Sequence, residues 1–143
     1  MELIQYKPEH LGNLLEQEAT AYLKPYLGEG HAEALANLKY AYTMVEGDSV
    51  MGCAGLTEYW PGRAETWAIL NPECKKHFLA MHNIVKRFLN AVPHRRIEAI
   101  VDRSFQAGHR WVKALGFHVE ADLLKGYRPD GGDCTLYARV RDR

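Results

Sequence analysis

One strand–helix–strand arrangement in the second half of the chain restricts its fold more than any other feature. The two strand-like segments are Arg63 to Leu70 (RAETWAIL) and RIEAIVD, which begins at Arg96. Between them, Asn71-Pro72 marks a helix start and Pro93 marks its end. The helix is indicated by apolar residues that step by three and four, namely Phe78, Met81, Val85, Phe88 and Val92. Because one helix carries the chain back to the edge where the first strand began, the two strands should be parallel neighbours.

The first forty residues predict one short strand and two helices. Leu3 to Tyr6 is the strand, which Pro8 ends. A helix follows and closes at Pro25 and Gly28, and His31 to Asn37 is a second, shorter helix. The first helix is indicated by residues at helical spacing, namely Leu11, Leu14, Leu15, Glu18, Ala19 and Tyr22.

Two antiparallel hairpins flank the crossover. YAYTMVE and SVMGCAGLTEYW are joined through Gly47-Asp48, a residue pair typical of tight hairpin turns. HVEADLLKGY and DCTLYARV form the closing hairpin around Pro129-Asp130-Gly131-Gly132. Most strand neighbours are therefore expected to run antiparallel.

The stretch SFQAGHRWVKALGFHVE predicts a helix that ends abruptly and continues as a strand. Gly116 can supply the left-handed cap residue, and Phe117 can fold back over the helix end. The complete order is β-α-α-β-β-β-α-β-α-β-β. This order predicts a mixed α/β fold in one domain, residues 1–143. We expect a central, mostly antiparallel sheet of six to seven strands with helices on both faces.

Composition and charge exclude several classes of protein. Lys plus Arg and Asp plus Glu number 18 each, so no whole-chain charge favours nucleic acid or an anionic membrane. The three cysteines and seven histidines lack the spacing of a disulfide framework or a metal site. No window approaches the ~20 apolar residues of a membrane span, and the N-terminus does not resemble a secretion signal. We therefore expect a soluble cytoplasmic protein.

The element order, together with ALGF before a closing hairpin, resembles the GNAT superfamily of N-acetyltransferases over nearly the whole chain. The short length, the ALGF hinge and the closing YRPDGGDCTLYARVR are most similar to small acetyltransferase-like proteins of bacteriophages and prophages. The resemblance implies transfer of an acetyl group from acetyl-coenzyme A (acetyl-CoA) to an amine. The amine can belong to a small molecule or to a protein. The oligomeric state stays open, and a homodimer is one of the options.

The resemblance also implies where the cosubstrate and the catalytic base lie. The strand Arg63 to Leu70 diverges from its parallel neighbour in the family, and Trp67, Ala68, Ile69 and Leu70 would follow the pantetheine arm. Backbone pairing needs no particular side chain, so this assignment tolerates sequence change. Glu65 aligns with the glutamate that is often the general base, and its apolar neighbours on the same face could raise its pKa. The ordinary alternative is a half-buried strand with a surface charge.

The diphosphate of the cosubstrate is implied at the start of the following helix. Lys75, Lys76 and Ala80 give the best alignment with the family's phosphate loop, but Phe78 stands where glycine is expected. Glycine normally lets a phosphate approach the backbone closely. Ser104 occupies a position where an asparagine often contacts the pantetheine. The alternative is a capped surface helix with solvated lysines.

The general acid is not provided at its usual position. The family tyrosine aligns with Val112, which cannot donate a proton. Tyr127 in the closing hairpin is the substitute acid, with Tyr137 as a second candidate, and Glu58 is a substitute base. Phe78 and Val112 favour a rival hypothesis, in which the chain keeps the fold as a binding or assembly module without catalysis.

Overall fold

The computed structural model describes residues 1–12, 14 and 30–142, and within them the elements follow the predicted order. The seven strands of this described part are β1 Glu2–Gln5, β2 Tyr40–Glu46, β3 Ser49–Trp60, β4 Arg63–Leu70, β5 Arg96–Asp102, β6 His118–Leu124 and β7 Cys134–Val140. Its four α-helices are α1 Pro8–Gly12, α2 His31–Ala36, α3 Phe78–Ala91 and α4 Gln106–Ala114.

The strands form one mixed sheet in the order β1-β2-β3-β4-β5-β7-β6. The β4–β5 pair is parallel, as the strand–helix–strand pattern predicted. The β1–β2, β2–β3, β5–β7 and β6–β7 pairs are antiparallel. The predicted mixed α/β fold with a mostly antiparallel seven-stranded sheet is thereby confirmed.

Two element boundaries differ from the predictions. The first strand is Glu2–Gln5 rather than Leu3 to Tyr6, although the Tyr6 N–H still donates to the Ala41 carbonyl of β2 at 3.2 Å and so continues the β1–β2 register by one bond. Strand β6 ends at Leu124, so the last predicted strand residues belong to the loop before β7. Several positions of the predicted first helix and its end lie outside the described residues, namely Leu15, Glu18, Ala19, Tyr22, Pro25 and Gly28.

The predicted crossover helix begins with a separate 3₁₀ turn. Pro72–His77 is a 3₁₀-helix, and the α-helix starts only at Phe78. Asn71 caps this turn by accepting the Glu73 backbone N–H on its side chain at 2.9 Å. The Cys74 N–H donates to the Asn71 carbonyl at 2.9 Å, and this i→i+3 spacing defines the tighter helix.

The chain divides into two compact units. Unit 1 comprises Met1–Thr57 and Trp67–Ala91, and unit 2 comprises Glu58–Thr66 and Val92–Arg143. Strand β4 therefore contributes its first half to unit 2 and its second half to unit 1. The core of unit 1 is a cluster of buried residues, namely Tyr6, Leu14, Leu35, Ala41, Cys53 and Ile69.

The helix end in unit 2 has the conformation that the sequence predicted. Gly116 has a φ of 95°, which is the left-handed region. The Phe117 N–H donates to the Val112 carbonyl at 3.0 Å, and the Gly116 N–H donates to the Lys113 carbonyl at 3.1 Å. These two bonds form a Schellman motif, and Phe117 is buried at 2% exposure. The prediction for this hinge is confirmed.

Candidate active site

Strands β4 and β5 are paired over only three residues each. The pairs are Arg63 with Arg96, Ala64 with Ile97, and Glu65 with Glu98. The ladder thus ends at Glu65, which the family resemblance implies as the general base. All six residues belong to unit 2.

Glu65 is half-buried and bears a raised pKa. Burial is the main cause, and the negative charge of Glu98 adds to it. The Tyr59 hydroxyl donates a hydrogen bond to Glu65 Oε1 at 3.1 Å, and this bond and the charge of Arg63 oppose the rise. A carboxylate whose pKa lies above its usual range is a better proton acceptor near neutral pH.

Glu98 is a buried carboxylate held by two arginines. It is 5% exposed. Arg63 donates from Nε to Oε2 at 2.5 Å and from Nη2 to Oε1 at 3.1 Å, and Arg96 donates from Nε to Oε2 at 2.8 Å. The hydrogen bond from Arg63 is the main cause that lowers the Glu98 pKa, so Glu98 stays ionised beside Glu65.

The Arg63 guanidinium also lies against two aromatic rings. Its central carbon is 4.6 Å from the Tyr59 ring centroid and 4.7 Å from that of Trp60. Such distances allow a cation–π attraction. Arg63 therefore connects the aromatic end of β3 with the carboxylates of β4 and β5.

Tyr127 lies in the loop between β6 and β7 and is 53% exposed. Its pKa is raised, first by burial of part of the side chain and then by the negative charge of Glu65. A raised pKa keeps the phenol protonated, so Tyr127 can donate a proton or a hydrogen bond. The charge of Glu65 thus acts on Tyr127, so the two proposed catalytic residues lie near each other within unit 2.

The Tyr127 loop is fixed by charged hydrogen bonds on both sides of the tyrosine. The Gly126 N–H donates to the Asp133 side chain at 2.8 Å, and the Asp133 carbonyl accepts the Arg103 N–H at 3.0 Å. Arg128 forms an ion pair with Asp102 at the end of β5. These contacts hold the loop against β5 and limit the positions that Tyr127 can adopt.

The other candidate acid and base are engaged in hydrogen bonds of their own. Tyr137 is buried at 2% exposure, and its hydroxyl is 2.7 Å from His109 Nδ1. His109 Nε2 lies 2.9 Å from the Arg103 carbonyl and donates to it. Glu58 accepts a bond from buried His94 Nε2 at 2.5 Å. Because Tyr137 and Glu58 are each bound to a histidine, they are weaker candidates for the acid and the base than Tyr127 and Glu65.

No family model matches the chain, and no curated protein matches it in sequence. Solved structures are similar over nearly its whole length. Ard1 from Thermoplasma volcanium has a TM-score of 0.80 at 14% identity, over 99% of this chain and 98% of its own. A GNAT-family acetyltransferase from Bacillus anthracis has a TM-score of 0.70 at 16% identity, over 96% and 93%. An aminoglycoside 6'-acetyltransferase type Ii has a TM-score of 0.71 at 15% identity, over 100% and 99%.

The chain has the GNAT acetyltransferase fold. This finding confirms the fold that the sequence resemblance implied. Separately, none of the helices in residues 1–12, 14 and 30–142 is long and apolar enough to cross a bilayer.

The four residues that the GNAT resemblance assigns to the pantetheine arm lie on the unit 1 half of β4. Trp67 packs edge-on against Tyr6, with ring centroids 6.3 Å apart. Ile69 and Leu70 are buried, whereas Ala68 is exposed. All four follow the end of the β4–β5 ladder, so their backbone takes no part in that pairing. An extended amide chain can add to strand backbone of this kind.

Trp67 carries a buried polar atom that suits a ligand. Its Nε1 is buried and has no hydrogen-bond partner among the described residues. A buried N–H without an acceptor is unfavourable. A carbonyl or amide oxygen of a bound molecule would supply that acceptor, as the pantetheine arm could.

The proposed diphosphate residues lie on the 3₁₀ turn and the start of α3. Lys75 and Ala80 are exposed, and Lys76 forms an ion pair with Glu73 at 2.7 Å. The Phe78 ring stacks on His82 at a centroid distance of 5.9 Å. The phenylalanine therefore lies along the helix surface. The Lys76–Glu73 pair reduces the positive charge offered to a phosphate.

Ser104 lies in the turn after β5 rather than at a helix cap. Its backbone N–H and its hydroxyl both donate to Asp102 Oδ1, at 2.9 Å and 2.8 Å. Helix α4 begins two residues later, at Gln106. The Ser104 oxygen keeps its lone pairs and can still accept a bond from a ligand amide.

Sequence reasoning missed three residues of the site, namely Tyr59, Arg63 and Glu98. Tyr59 lies near the end of β3 and Arg63 begins β4, on the two sides of the Pro61-Gly62 turn. Glu98 follows from the parallel register with Glu65, which no sequence pattern fixed. All three residues make side-chain contacts that depend on how neighbouring strands are paired, and a single stretch of sequence does not fix that pairing.

Proposed function

We propose that the chain is an acetyl-CoA-dependent N-acetyltransferase in which Glu65 is the general base. The observation that supports this most directly is the half-buried Glu65 carboxylate, whose pKa is raised and which ends the β4–β5 ladder. Its position agrees with the base expected from the GNAT resemblance. Carboxylates whose pKa is raised by desolvation cluster at functional sites, which supports this role for Glu65.

The proposed reaction requires two proton movements from residues of this chain. An acceptor ammonium must lose a proton before its nitrogen can attack, and Glu65 accepts that proton directly or through one water. Tyr127 donates a proton to the departing sulfur, for which a protonated phenol is suited. Bound acetyl-CoA supplies the acetyl group as a thioester.

We assign cosubstrate binding to the residues named from the resemblance. Trp67, Ala68, Ile69 and Leu70 would hold the pantetheine arm, supported by the backbone beyond the ladder and by the Trp67 Nε1 atom. Lys75, Lys76 and Ala80 would lie along the diphosphate, and Ser104 would accept a bond from the arm. The acceptor class is a small-molecule amine, and the similar aminoglycoside acetyltransferase supports it.

The cosubstrate assignment is tested by a thermal shift. At 100 times its dissociation constant, acetyl-CoA should stabilise the folded chain by about 2.7 kcal/mol and so raise Tm. 3',5'-ADP, which lacks the pantetheine arm, is the control ligand and should give a smaller shift. An unchanged Tm at millimolar acetyl-CoA would contradict the proposal and would favour a non-catalytic binding module.

Tyr59→Phe is expected to move the acidic limb of the kcat/KM profile to higher pH. The Tyr59 hydroxyl bond lowers the Glu65 pKa, so removing it lets that pKa rise further. A base works only when ionised, and a higher pKa leaves less carboxylate at any given pH below the limb. Profiles of both proteins between about pH 5 and pH 8 measure the shift. A limb that stays in place, or moves to lower pH, would contradict this role of Tyr59.

A further inference from the structure

Two tyrosines of unit 2 lie beside the proposed base and are open to solvent. The Tyr59 hydroxyl donates to Glu65 Oε1 at 3.1 Å, and Tyr59 is 48% exposed. Tyr127 is 53% exposed, and the negative charge of Glu65 acts on it. Tyr127 also acts electrostatically on Tyr59, so the three side chains lie close together. Exposed aromatic rings around one polar group are typical of a ligand site.

The Tyr59 ring is held in place before any ligand binds. Its hydroxyl is bound to Glu65, and the guanidinium carbon of Arg63 lies 4.6 Å from the centre of the ring. Arg63 is fixed in turn by two hydrogen bonds to Glu98, at 2.5 Å and 3.1 Å. Arg63 covers one face of the Tyr59 ring, and nearly half of the residue stays exposed. A second ring can therefore stack on the opposite side at little cost in side-chain entropy.

The charges around the tyrosines suit a single ammonium group. The carboxylates that act on both tyrosines are Glu65 and Glu98. Glu98 forms ion pairs with Arg63 and Arg96, so its charge is already compensated. Glu65 instead takes a hydrogen bond from a neutral phenol. One ammonium can thus pair with Glu65, whereas a second ammonium of the same molecule would be repelled by the arginines.

We propose that the acceptor is an arylalkylamine, a primary amine joined to an aromatic ring by a short alkyl chain. The inference rests on the proposed acetyl transfer and names its substrate class. The ring stacks on Tyr59 and contacts Tyr127, and the amine lies at Glu65. The alkyl chain is short because the Tyr59 hydroxyl that reaches Glu65 is attached directly to the tyrosine ring.

Acetyl transfer to such an amine uses the acid and the base already assigned. The ammonium loses a proton to Glu65, and its nitrogen forms a bond to the acetyl carbon. The carbon–sulfur bond of the thioester breaks, and the sulfur takes a proton from Tyr127. The products are the N-acetyl arylalkylamine and coenzyme A, and proton exchange with solvent restores both side chains.

The test compares 2-phenylethylamine with ethylamine, which lacks the ring, and with spermidine, which carries several ammonium groups. Thiol release from acetyl-CoA gives kcat/KM for each acceptor. We expect the value for 2-phenylethylamine to exceed that for ethylamine by about 10- to 100-fold, the factor that burial of a phenyl-sized apolar group provides. Spermidine should react more slowly than 2-phenylethylamine. A kcat/KM for either comparison amine that equals or exceeds that for 2-phenylethylamine would overturn the proposal.

Tyr59→Leu should lower the preference for 2-phenylethylamine over ethylamine by about 3- to 10-fold, the contribution of an aromatic pair beyond its buried area. Tyr59→Phe keeps the ring and should keep the preference. The preference is a ratio of two kcat/KM values at one pH. Loss of the hydrogen bond to Glu65 affects both acceptors and therefore cancels in this ratio.

Trp60→Leu is the matched control. Trp60 is 56% exposed, and its ring centre lies 4.7 Å from the guanidinium carbon of the same Arg63. The groups that act on Glu65 are Tyr59, Glu98 and Arg63, and not Trp60. This variant should therefore leave the preference unchanged. A preference that survives Tyr59→Leu, or that falls equally in Trp60→Leu, would overturn the proposal.

A binding measurement separates this inference from the proposed function. Calorimetric titration with 2-phenylethylamine needs no turnover, and Tyr59→Leu should bind it about 3- to 10-fold more weakly than Tyr59→Phe. If no amine is acetylated, the proposed function fails, and this titration alone decides the aromatic site. Absence of binding at about 10 mM amine, with and without coenzyme A, would overturn it, since KM values are typically 1 μM to 1 mM.

Discussion

Glu65→Gln is expected to lower kcat by about 10²- to 10⁴-fold, the range that a positioned general base contributes. Glutamine has nearly the same shape and can still accept the hydrogen bond from Tyr59, so the fold should be kept. It cannot take a proton from the ammonium. The measurement is thiol release at saturating acetyl-CoA with a panel of small-molecule amines, together with the thermal shift by acetyl-CoA, which should be unchanged.

Glu58→Gln is the matched control for this experiment. Glu58 is also a glutamate close to the turn between β3 and β4, but it accepts a hydrogen bond from His94, and glutamine can accept the same bond. Its kcat should remain within a few-fold of the parent value. A large loss of kcat in Glu58→Gln with normal turnover in Glu65→Gln would instead assign the base to Glu58.

Glu98→Ala is expected to lower the free energy of unfolding by about 3 kcal/mol. Removing one member of a buried ion pair leaves a partner charge uncompensated, and such losses are typically about 3–5 kcal/mol. Arg63 loses both of its bonds to Glu98, whereas Arg96 keeps its pair with Glu120. We expect the lower end because the side chains of Arg63 and Arg96 are 32% and 31% exposed and regain some solvation. Urea unfolding measures the change as a lower midpoint at constant slope.

Glu120→Ala provides the comparison for that result. Glu120 pairs with the same Arg96, but its side chain is 39% exposed. Exposed ion pairs contribute about 0–1 kcal/mol, so this variant should be nearly as stable as the parent. Equal losses in the two variants would mean that burial of Glu98 contributes nothing beyond the surface pair.

Local sequence signals predicted most of the fold. The turn at Gly47-Asp48, the Asn71 cap and the Gly116-Phe117 stop each depend on residues adjacent in the chain, and the structure has all three. Boundaries that depend on neighbours in space were less accurate. The bounds of β1 are set by its pairing with β2, whose residues lie about thirty-five to forty-five positions further along the chain, and no local pattern encodes that pairing.

The residues of the candidate site also differ in how far the sequence predicted them, depending on whether the signal is local or comes from strand register. Glu65 was predicted from the family resemblance and from its apolar neighbours on the same strand face, and the structure adds the burial that raises its pKa. The Arg63–Glu98 pair was not found, because it depends on the parallel register of β4 and β5. The single-domain organisation and the similarity to phage proteins remain predictions.

The carboxylate of Asp102 contacts two separate segments of unit 2 at once, the turn with Ser104 and the loop with Tyr127. Oδ1 accepts both hydrogen bonds from Ser104. Oδ2 accepts the charged hydrogen bond from Arg128, the residue next to Tyr127 in its loop. Displacing either segment would therefore change the hydrogen bonds of the same Asp102 side chain. Asp102 therefore fastens the Ser104 turn and the loop that carries Tyr127 to the end of β5, and Asp102→Ala should loosen both segments together.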